Sequence, residues 1–348
     1  MYHLNVNDRS IGTDRQVFIV AELSANHCGS LDTALRLIEE ARKAGADAVK
    51  VQTYSPDTMT IDSNKDYFQI KGTSWEGRSL YDLYGEACTP WEWHPQLKRC
   101  AEEMGLVFFS TPFDLTAVDF LEKLNVPCYK VASFELVDHP LLAGIAATGK
   151  PVFMSTGMAT LAEIDEAVRV LRAAGNVQMA LLKCTSAYPA PPEEMNLRTI
   201  PHLAEAFHVP VGLSDHSLEL APPVTAVALG ASIIEKHFTL SRNLGGADRA
   251  FSLEPHEFKA MVDAVQTAEK ALGRISYDVN GKELESRVFR RSLFVVEDMK
   301  AGDTFTEQNV RSIRPAHGLA PKYLPEILGR RAATDLERGT PLGWNVVI

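Results

Sequence analysis

The sequence predicts an α/β protein, a TIM (β/α)8 barrel followed by a small C-terminal domain. Eight short apolar runs, rich in β-branched or aromatic residues, are typical of strands that are buried on both faces. Amphipathic stretches alternate with these runs over residues 17–273, as helices alternate with strands in α/β proteins. A chain of 348 residues fits one barrel of about 250 residues and one small domain better than two equal domains.

The predicted strands are the apolar runs themselves. They are VFIVAE (17–22), AVKVQ (48–52), LVFFS (106–110), CYKVA (128–132), PVFMS (151–155), MALLKC (179–184), VGLS (211–214) and SIIEKH (232–237). Between them, the stretches 31–45 and 161–175 place apolar residues at i, i+3 and i+4 and stop at a glycine, which predicts helices. Eight strand–helix units in succession require a parallel sheet, and eight strands close a barrel.

One connection, between Thr53 and Thr89, is far longer than the others. A loop of this length inside a compact domain is usually functional, for instance as a lid or a specificity wall. The alternative is a surface insertion without a function. The aromatic residues Trp75, Tyr81 and Tyr84 favour the functional interpretation, because their side chains need something to pack against.

The pattern changes after residue 273. We expect a barrel domain at 1–275, a polar linker at 276–287 and a separate module at 288–348, with the short strand-like runs RSLFVVED, TFTEQNVRSIRP and GRRAATDLERGTPL. A module of about 60 residues has too little core to be very stable without docking onto something.

Composition and charge restrict the class of protein. The formal net charge of -10 disfavours a nucleic-acid partner. Five scattered cysteines without a CxxC pair indicate reduced thiols and a cytoplasmic enzyme. The first residues, MYHLNVNDRS, do not resemble a secretion signal, and no run approaches the ~18 apolar residues of a membrane span.

Every predicted strand ends in polar or ionisable residues, at the end of the barrel that carries the chemistry in this fold. They are Glu22, Lys50 with Gln52, Ser110 with Thr111, Lys130 with Ser133 and Glu135, Ser155, Lys183 with Thr185 and Ser186, Ser214 with His216, and Glu235 with His237. Burying each without a partner would cost a few kcal/mol, so we expect these side chains to share an active site.

Lys50 and Lys130 stand inside apolar strand runs, where a lysine is rarely buried without a partner. One interpretation is an ion pair with an interior carboxylate such as Glu22 or Glu235. The interpretation that we favour is a phosphate or carboxylate cradle. Two lysines beside several strand-end serines provide the converging donors that such an anion needs.

His216 and His237 follow the seventh and eighth strands, which are neighbours in a closed barrel. A lone histidine is more often a hydrogen-bonded core residue than a ligand, but two at adjacent strand ends favour a metal site with open positions. Such a site suits Lewis-acid activation of a carbonyl group. The spacing leaves Mn²⁺, Mg²⁺, Co²⁺ and Zn²⁺ open.

Four further residues carry weaker signals. Glu22 and Glu135 are candidate bases, or counter-ions of the two lysines. Asp248, in the glycine-rich stretch GGADRAF, is either a ligand of a sugar hydroxyl or a turn residue. Arg314 in SIRPAHGL would be interpreted from composition as a surface residue. The chain has neither GxGxxG nor GxxxxGK[ST] after a strand, so no nucleotide fingerprint is present.

With these residues in view, the chain resembles the sialic-acid synthase family of phosphoenolpyruvate-dependent nonulosonate synthases. The resemblance rests on AELSANHCGS (21–30), GADAVKVQT (45–53), FSTPFD (109–114), YKVAS (129–133), STGMAT (155–160), LKCTSAYPAP (182–191), GLSDHS (212–217), VALGASIIEKHFT (227–239) and SIRPAHGLAP (312–321). The C-terminal module is similar to the antifreeze-like (SAF, β-clip) domain of these enzymes. Residues 75–94 and 288–303 are similar to the pseudaminate branch. Ser186 stands where neuraminate synthases usually have asparagine, and the legionaminate and neuraminate branches are the alternatives.

The resemblance implies a transferase that condenses phosphoenolpyruvate with the open-chain aldehyde of 2,4-diacetamido-2,4,6-trideoxy-L-altrose and releases phosphate. It implies that His216 and His237 hold a divalent metal, usually Mn²⁺, with Mg²⁺ or Co²⁺ as alternatives. The residues that it assigns to phosphoenolpyruvate are Lys50, Thr111, Lys130, Ser133, Ser155, Ser186, Tyr188 and Ser214. Glu22 and Glu135 would lie beside the reacting carbons, and Gln52, Phe113 and Asp248 would face the sugar. It also implies a homodimer in which the SAF domain caps the partner's barrel and supplies Arg314.

Two other functions fit the residues less well. A metal-dependent aldolase that cleaves a ketosugar to pyruvate would use the same barrel and metal, but it would not need two lysines for a phosphate. A protein that only binds ligands through the antifreeze-like module would not need polar groups at every strand end. Release of phosphate from phosphoenolpyruvate separates the proposed enzyme from both.

Overall fold

A computed structural model describes residues 2–72 and 75–348, so Met1, and Thr73 and Ser74 of the predicted long loop, lie outside the described residues. The chain divides into two compact units, Met1–Gly273 and Arg274–Ile348.

The first unit is the predicted TIM barrel, which the structure confirms. Within the described residues, eight parallel strands close into a ring in which each strand neighbours the next along the chain, and the last pairs with the first. After an N-terminal hairpin of β1 (His3–Val6) and β2 (Arg9–Gly12), the barrel strands are β3 (Phe18–Glu22), β4 (Ala48–Thr53), β5 (Val107–Pro112), β6 (Tyr129–Val131), β7 (Val152–Ser155), β8 (Met179–Cys184), β9 (Val211–Asp215) and β10 (Ile233–His237). Each agrees with its predicted run to within two residues.

The N-terminal hairpin, which the sequence analysis did not predict, closes the lower end of the barrel. Leu4, Val6 and Ile11 pack in one buried cluster with Phe18 and Ile233, the first residues of β3 and β10. The amino ends of the strands are therefore covered by apolar side chains. The carboxyl ends are left for the functional site, as in other barrels of this type.

Helices of the first unit cover the outside of the barrel. They are α1 (Leu31–Lys43), α2 (Pro56–Met59), α3 (Leu80–Ala87), α4 (His94–Glu103), α5 (Leu115–Leu124), α6 (His139–Ala147), α7 (Leu161–Ala173), α8 (Thr199–Phe207), α9 (Ala221–Ala228) and α10 (Pro255–Leu272). α2 and α3 belong instead to the connection after β4, and the apolar faces of the other helices join the strands in one continuous core. In α1 the buried face is Ala34, Leu37, Ile38 and Ala41, and the Ser30 side chain caps the first turn.

The long connection after β4 is not a structureless loop, because it contains α2 and α3. Its aromatic side chains have partners, as the sequence analysis expected. Trp75 Nε1 donates to the Ala247 carbonyl at 3.1 Å, and the Tyr84 ring lies 5.8 Å from Tyr54. The described part of this connection is thus attached to the barrel through specific contacts.

The second unit has a small core of its own. It contains α11 (Gly281–Ser286), β11 (Ser292–Val295), β12 (Val310–Ile313) and α12 (Leu324–Ile327). β11 and β12 pair antiparallel, and Leu293, Val295 and Phe305 belong to the cluster beneath them. The third predicted run, GRRAATDLERGTPL, forms only isolated bridges. None of the described helices of either unit is long and apolar enough to cross a membrane.

Candidate active site

A cavity of about 500 Å³ opens at the carboxyl ends of the barrel strands. This is within the range of small-molecule sites. Strand ends and the long connection both contribute to its wall. The predicted site residues that line it are Lys50, Gln52, Phe113, Lys130, Ser133, Glu135, Ser155, Tyr188, Ser214, His216, His237 and Asp248.

Lys50 and Glu22 lie next to each other on one side of this cavity. The Lys50 Nζ is 2.8 Å from Glu22 Oε2, it donates to Thr111 Oγ1 at 3.3 Å, and Gln52 Nε2 donates to Glu22 Oε1 at 2.9 Å. Burial raises the pKa of Glu22, while the neighbouring ammonium opposes that rise. Burial also acts to lower the pKa of Lys50, but Glu22 and Glu235 outweigh it and raise the pKa above its ordinary value.

Glu235 joins the two lysines from the opposite strand. Its Oε1 lies 3.3 Å from the Nζ of Lys50 and 3.4 Å from that of Lys130, and it accepts a hydrogen bond from Ser214 at 3.1 Å. Burial lowers the pKa of Lys130. Both lysines therefore have the interior carboxylate partners of the first interpretation, and they also face the cavity, as the second requires.

Serine side chains gather on the adjacent strand ends around Gly157. Ser133 Oγ accepts the Gly157 amide at 3.1 Å, and a Cβ at Gly157 would lie 2.2 Å from Ser186 Oγ and 2.8 Å from Ser133 Oγ. The two hydroxyls therefore converge on one point, which only glycine leaves open. Ser155 Oγ is buried without a hydrogen-bond partner in the described chain. A buried hydroxyl without a partner is costly, so its place fits a ligand that supplies the missing bond.

Glu135 also points into the cavity, with a second unsatisfied atom. Its Oε2 is buried and has no hydrogen-bond partner among the described residues. Burial raises the pKa of Glu135 to about 7, and hydrogen bonding by its own backbone amide and the Lys130 charge only partly oppose this. A carboxyl group with a pKa near neutrality can exchange a proton with a substrate or water.

His216 and His237 lie side by side, with ring centroids 5.3 Å apart. His216 Nδ1 is 3.0 Å from the Thr185 carbonyl, so Nδ1 carries the proton and Nε2 has a free lone pair. His237 Nδ1 lies 3.3 Å from Ser24 Oγ, and burial lowers the pKa of His237 far below its usual value, which keeps the ring neutral. Burial acts to lower the pKa of His216 as well, but Cys184 and the Thr185 carbonyl outweigh it and raise that pKa above its ordinary value. A divalent cation would bind the unprotonated form of both rings and displace any proton from His216.

The described residues contain no group of three or more His, Cys, Asp or Glu arranged to hold a metal ion. His216 and His237 are therefore two candidate ligands rather than a complete ligand set. Asp248 is the nearest carboxylate, with Oδ2 3.9 Å from His237 Nδ1. Mn²⁺, Mg²⁺ and Co²⁺ accept such mixed coordination.

The lining of the cavity also includes apolar and aromatic side chains. Tyr188 lies 4.4 Å from the His216 ring, and Phe113 lies 5.2 Å from Tyr54, as centroid distances. The long connection contributes further side chains to the lining, and we call these the apolar wall: Met59, Ile70, Trp75, Leu80, Leu83 and Tyr84. The cavity therefore combines charged and apolar lining residues.

Seven of the site residues that the sequence singled out lie outside the lining: Glu22, Ser110, Thr111, Lys183, Thr185, Ser186 and Arg314. Glu22 and Thr111 contact Lys50, Ser186 Oγ lies beside Gly157, and Arg314 belongs to the second unit. Glu235, expected at a strand end, does line the cavity. The sequence did not single out Ser24, Tyr54 or Phe251. Ser24 lies two residues beyond a predicted strand, so strand-end polarity alone would have found it.

Comparisons with known proteins place the chain in a family. A sequence model described as the NeuB family matches residues 37–277, and one described as the SAF domain matches residues 290–347. The chain is 49% identical over 333 residues to a pseudaminic acid synthase of Campylobacter jejuni, covering 96% of this chain and 97% of the relative. It is 37% identical to an N,N'-diacetyllegionaminic acid synthase of Campylobacter jejuni, over 92% of this chain and 97% of the relative.

A solved structure is similar as well. It is an N-acetylneuraminic acid (sialic acid) synthetase from Leptospira borgpetersenii in complex with citrate, 33% identical and with a TM-score of 0.73. The match covers 82% of this chain and 94% of that chain.

Proposed function

The chain belongs to the NeuB family, and from this premise we propose that it condenses phosphoenolpyruvate with 2,4-diacetamido-2,4,6-trideoxy-L-altrose to give pseudaminic acid and phosphate. The observation that carries the proposal is one cavity lined both by two buried lysines and by the apolar wall. The lysines suit an anion, and the apolar wall suits a sugar that carries methyl groups.

Lys50 and Lys130 bind the phosphate and carboxylate groups of phosphoenolpyruvate. Thr111, Ser133, Ser155, Ser186, Tyr188 and Ser214 provide further donors. The unsatisfied Ser155 hydroxyl and the convergence of Ser133 and Ser186 on Gly157 support a small oxygen-rich ligand here. Oriented hydrogen bonds to an anion are roughly twice as strong as neutral ones, so a few of them are enough to fix its position.

The charge balance calls for additional positive charge. Among the described residues at the cavity, Lys50 and Lys130 face the carboxylates of Glu22, Glu135 and Glu235, and Asp248 adds a fourth. A divalent cation would supply part of the missing positive charge. Arg314, reaching from the SAF domain of a second copy in a homodimer, supplies another part in this proposal.

His216 and His237 are the residues that would hold the cation, preferably Mn²⁺. When bound, the cation supplies Lewis-acid polarisation of the sugar aldehyde. Asp248 and Gln52 orient the sugar hydroxyl and amide groups, and Phe113 lies against its apolar face. These positions are all along the cavity wall.

The chain's carboxylates perform the remaining chemistry. Carbon 3 of phosphoenolpyruvate attacks the aldehyde carbon, and positive charge develops at carbon 2. The Glu22 carboxylate stabilises this charge, because its ion pair with Lys50 opposes the rise of its pKa on burial and holds it in place. Glu135, whose Oε2 has no partner, removes a proton from the water that adds to carbon 2. The proton held by Glu135 balances the one that the new alkoxide takes up. Cleavage of the bond between carbon 2 and the phosphate oxygen, with the carbon 2 hydroxyl proton leaving with the phosphate, then forms the ketone and releases phosphate, which the lysines bind.

The alternatives are the legionaminate and neuraminate reactions, which differ in the sugar. The higher identity to a pseudaminic acid synthase, 49% against 37% and 33%, supports the first. Ser186 does too, since neuraminate synthases usually have asparagine there. The apolar wall favours a 6-deoxy sugar with two acetamido groups over N-acetylmannosamine, whose additional hydroxyl groups would be left unpaired against it; this argues against the neuraminate reaction alone. The reaction is expected in the cytoplasm, in agreement with five unpaired cysteines in the described chain.

The experiment that tests the function measures phosphate release by the full chain with phosphoenolpyruvate, Mn²⁺ and one sugar at a time. The sugars are the L-altro diacetamido sugar, the manno-configured diacetamido sugar and N-acetylmannosamine, and mass spectrometry identifies the product. We expect the L-altro sugar to give the highest kcat/KM, and chelation by EDTA to stop turnover until Mn²⁺ is restored. Pyruvate formation from a nonulosonate without phosphate release would instead indicate an aldolase.

A further inference from the structure

A buried ion pair lies directly behind the two histidines. Lys236 and Asp215 are register partners on β10 and β9, and Lys236 Nζ is 2.5 Å from Asp215 Oδ2 with both side chains fully buried. Neither side chain is among those that line the cavity. Successive residues of a strand point to opposite faces. The pair therefore lies on the outer face of the barrel wall, while Glu235 and His237 lie on the inner face.

This ion pair also holds the turn that carries the other histidine. Asp215 Oδ1 accepts the Ser217 amide at 2.9 Å, and Lys236 Nζ donates to Ser217 Oγ at 3.2 Å. His216 is the central residue of the segment 215–217, and His237 directly follows Lys236. One ammonium group thus connects the segment that bears one imidazole to the strand that bears the next.

We propose that Lys236, acting with Asp215 and Ser217, is a positioning residue that sets the separation of the His216 and His237 imidazoles for a divalent cation. The inference rests on the proposed function, because it presumes a metal at these histidines. Metal ligands must be held within about 0.5 Å of their working geometry. Groups outside the ligand shell that hold ligands in place typically contribute 10–100-fold to metal affinity.

A purely stabilising role accounts less well for the pair. Removing two ions from water costs several kcal/mol each, and replacing a buried pair by neutral residues is often neutral for stability. Beyond stability, the pair fixes the position of the segment 215–217. Lys236 bonds to Asp215 and to Ser217, and Asp215 bonds to the Ser217 amide. Loss of both charges should therefore change the metal site more than the fold.

The test uses the full chain with both charges removed together, Lys236→Met with Asp215→Asn, so that no buried ion is left unpaired. The Kd for Mn²⁺ alone is measured from the electron paramagnetic resonance signal of the free ion, and Tm is measured by circular dichroism. We expect the Kd for Mn²⁺ to rise 10–100-fold, with Tm close to that of the wild type. Ser217→Ala, a milder change that removes one bond, is expected to raise the Kd about threefold and covers the case in which the double variant does not fold.

The control is a lysine–glutamate ion pair elsewhere on the barrel, with side-chain exposures of 21% and 38%. Lys150 Nζ lies 2.6 Å from Glu122 Oε1, and neither residue lines the cavity. Lys150→Met with Glu122→Gln is expected to leave the Kd for Mn²⁺ unchanged. An unchanged Kd in both the double variant and Ser217→Ala would overturn the positioning role alone. A wild-type chain that binds no Mn²⁺ would overturn both this inference and the proposed metal.

Discussion

The Lys50 ammonium lies 2.8 Å from the Glu22 carboxylate inside the barrel, with side-chain exposures of 5% and 1%. This contact leads to the first prediction. Glu22→Gln keeps the volume of the side chain but removes a negative charge from beside the anion, so the KM for phosphoenolpyruvate should not rise. The loss of charge stabilisation at carbon 2 should lower kcat about 10²–10³-fold. Steady-state kinetics with phosphoenolpyruvate as the varied substrate separates the two effects.

Lys50→Met is the companion variant. It leaves Glu22 without its cation, so it should raise the KM for phosphoenolpyruvate and destabilise the fold by about 3–5 kcal/mol, as broken buried pairs do. If Glu22→Gln instead raised this KM and kept kcat, the carboxylate would serve only to hold the lysine.

The second prediction concerns pH. The pKa of Glu135 is raised to about 7 by burial, and a base must be ionised, so kcat/KM should increase with pH and level off above about 7. Glu135→Gln should abolish this limb and lower kcat about 10²–10⁴-fold. The measurement is kcat/KM across about pH 5.5–8.5, a range centred on the raised pKa of Glu135. If kcat/KM of Glu135→Gln still increased with pH, Glu135 would not be the base.

The raised pKa of Glu135 also predicts how the stability of the fold depends on pH. The folded-state pKa of this carboxyl group lies above the ordinary value of 4.5, so its contribution to stability is complete below about 4.5 and is lost as pH rises through about 7. Glu135→Gln should therefore have a higher Tm than the wild type at pH 8 and a similar Tm at pH 4.5. Glu163 is the control, because hydrogen bonds from Thr160 lower its pKa, so its contribution is lost as pH falls.

The barrel and the strand-end residues could be predicted from the sequence because both depend on short-range patterns. Apolar runs identify strands, and a parallel barrel brings their carboxyl ends together wherever they lie in the chain. Partners within the site depend on side-chain direction across strands. Glu235 contacts both lysines, and Ser24 contacts His237. These contacts join segments about 100–200 residues apart in the chain, so no local sequence pattern predicts them. The four-residue strands of the N-terminal hairpin are too short for a clear period.

The third prediction tests the apolar wall. Ile70 lines the cavity, and we expect it to contact a methyl group of the diacetamido sugar. Ile70→Ser should lower kcat/KM for that sugar roughly 10–200-fold, which is the usual range for an apolar contact of this size, and leave the KM for phosphoenolpyruvate unchanged. Ile61→Ser is the control, since Ile61 belongs to the same connection but is 60% exposed. Equal losses in both variants would mean that the connection is merely destabilised.

The fourth prediction concerns Arg314 and the homodimer. If this arginine completes the anion site of a second copy, Arg314→Ala should raise the KM for phosphoenolpyruvate at least tenfold, about the value of one charged hydrogen bond. Arg311→Ala, which changes an exposed arginine three residues away, should not. At phosphoenolpyruvate concentrations well below the raised KM, mixing Arg314→Ala chains with Glu135→Gln chains should give more activity than the average of the two separate variants, because one site of a mixed dimer is complete. No recovery on mixing would argue against capping by the partner.

The fifth prediction uses the glycine between the serines. A Cβ at Gly157 would lie 2.2 Å from Ser186 Oγ and 2.8 Å from Ser133 Oγ, so Gly157→Ala must turn both hydroxyls away. Short side chains rotate at little cost, so Tm should fall only slightly, while the KM for phosphoenolpyruvate should rise tenfold or more. Gly85→Ala is the control, because its nearest neighbour would be Pro56 at an ordinary 3.7 Å and alanine favours the helix. A Gly157→Ala chain with wild-type KM would show that these hydroxyls do not hold the anion.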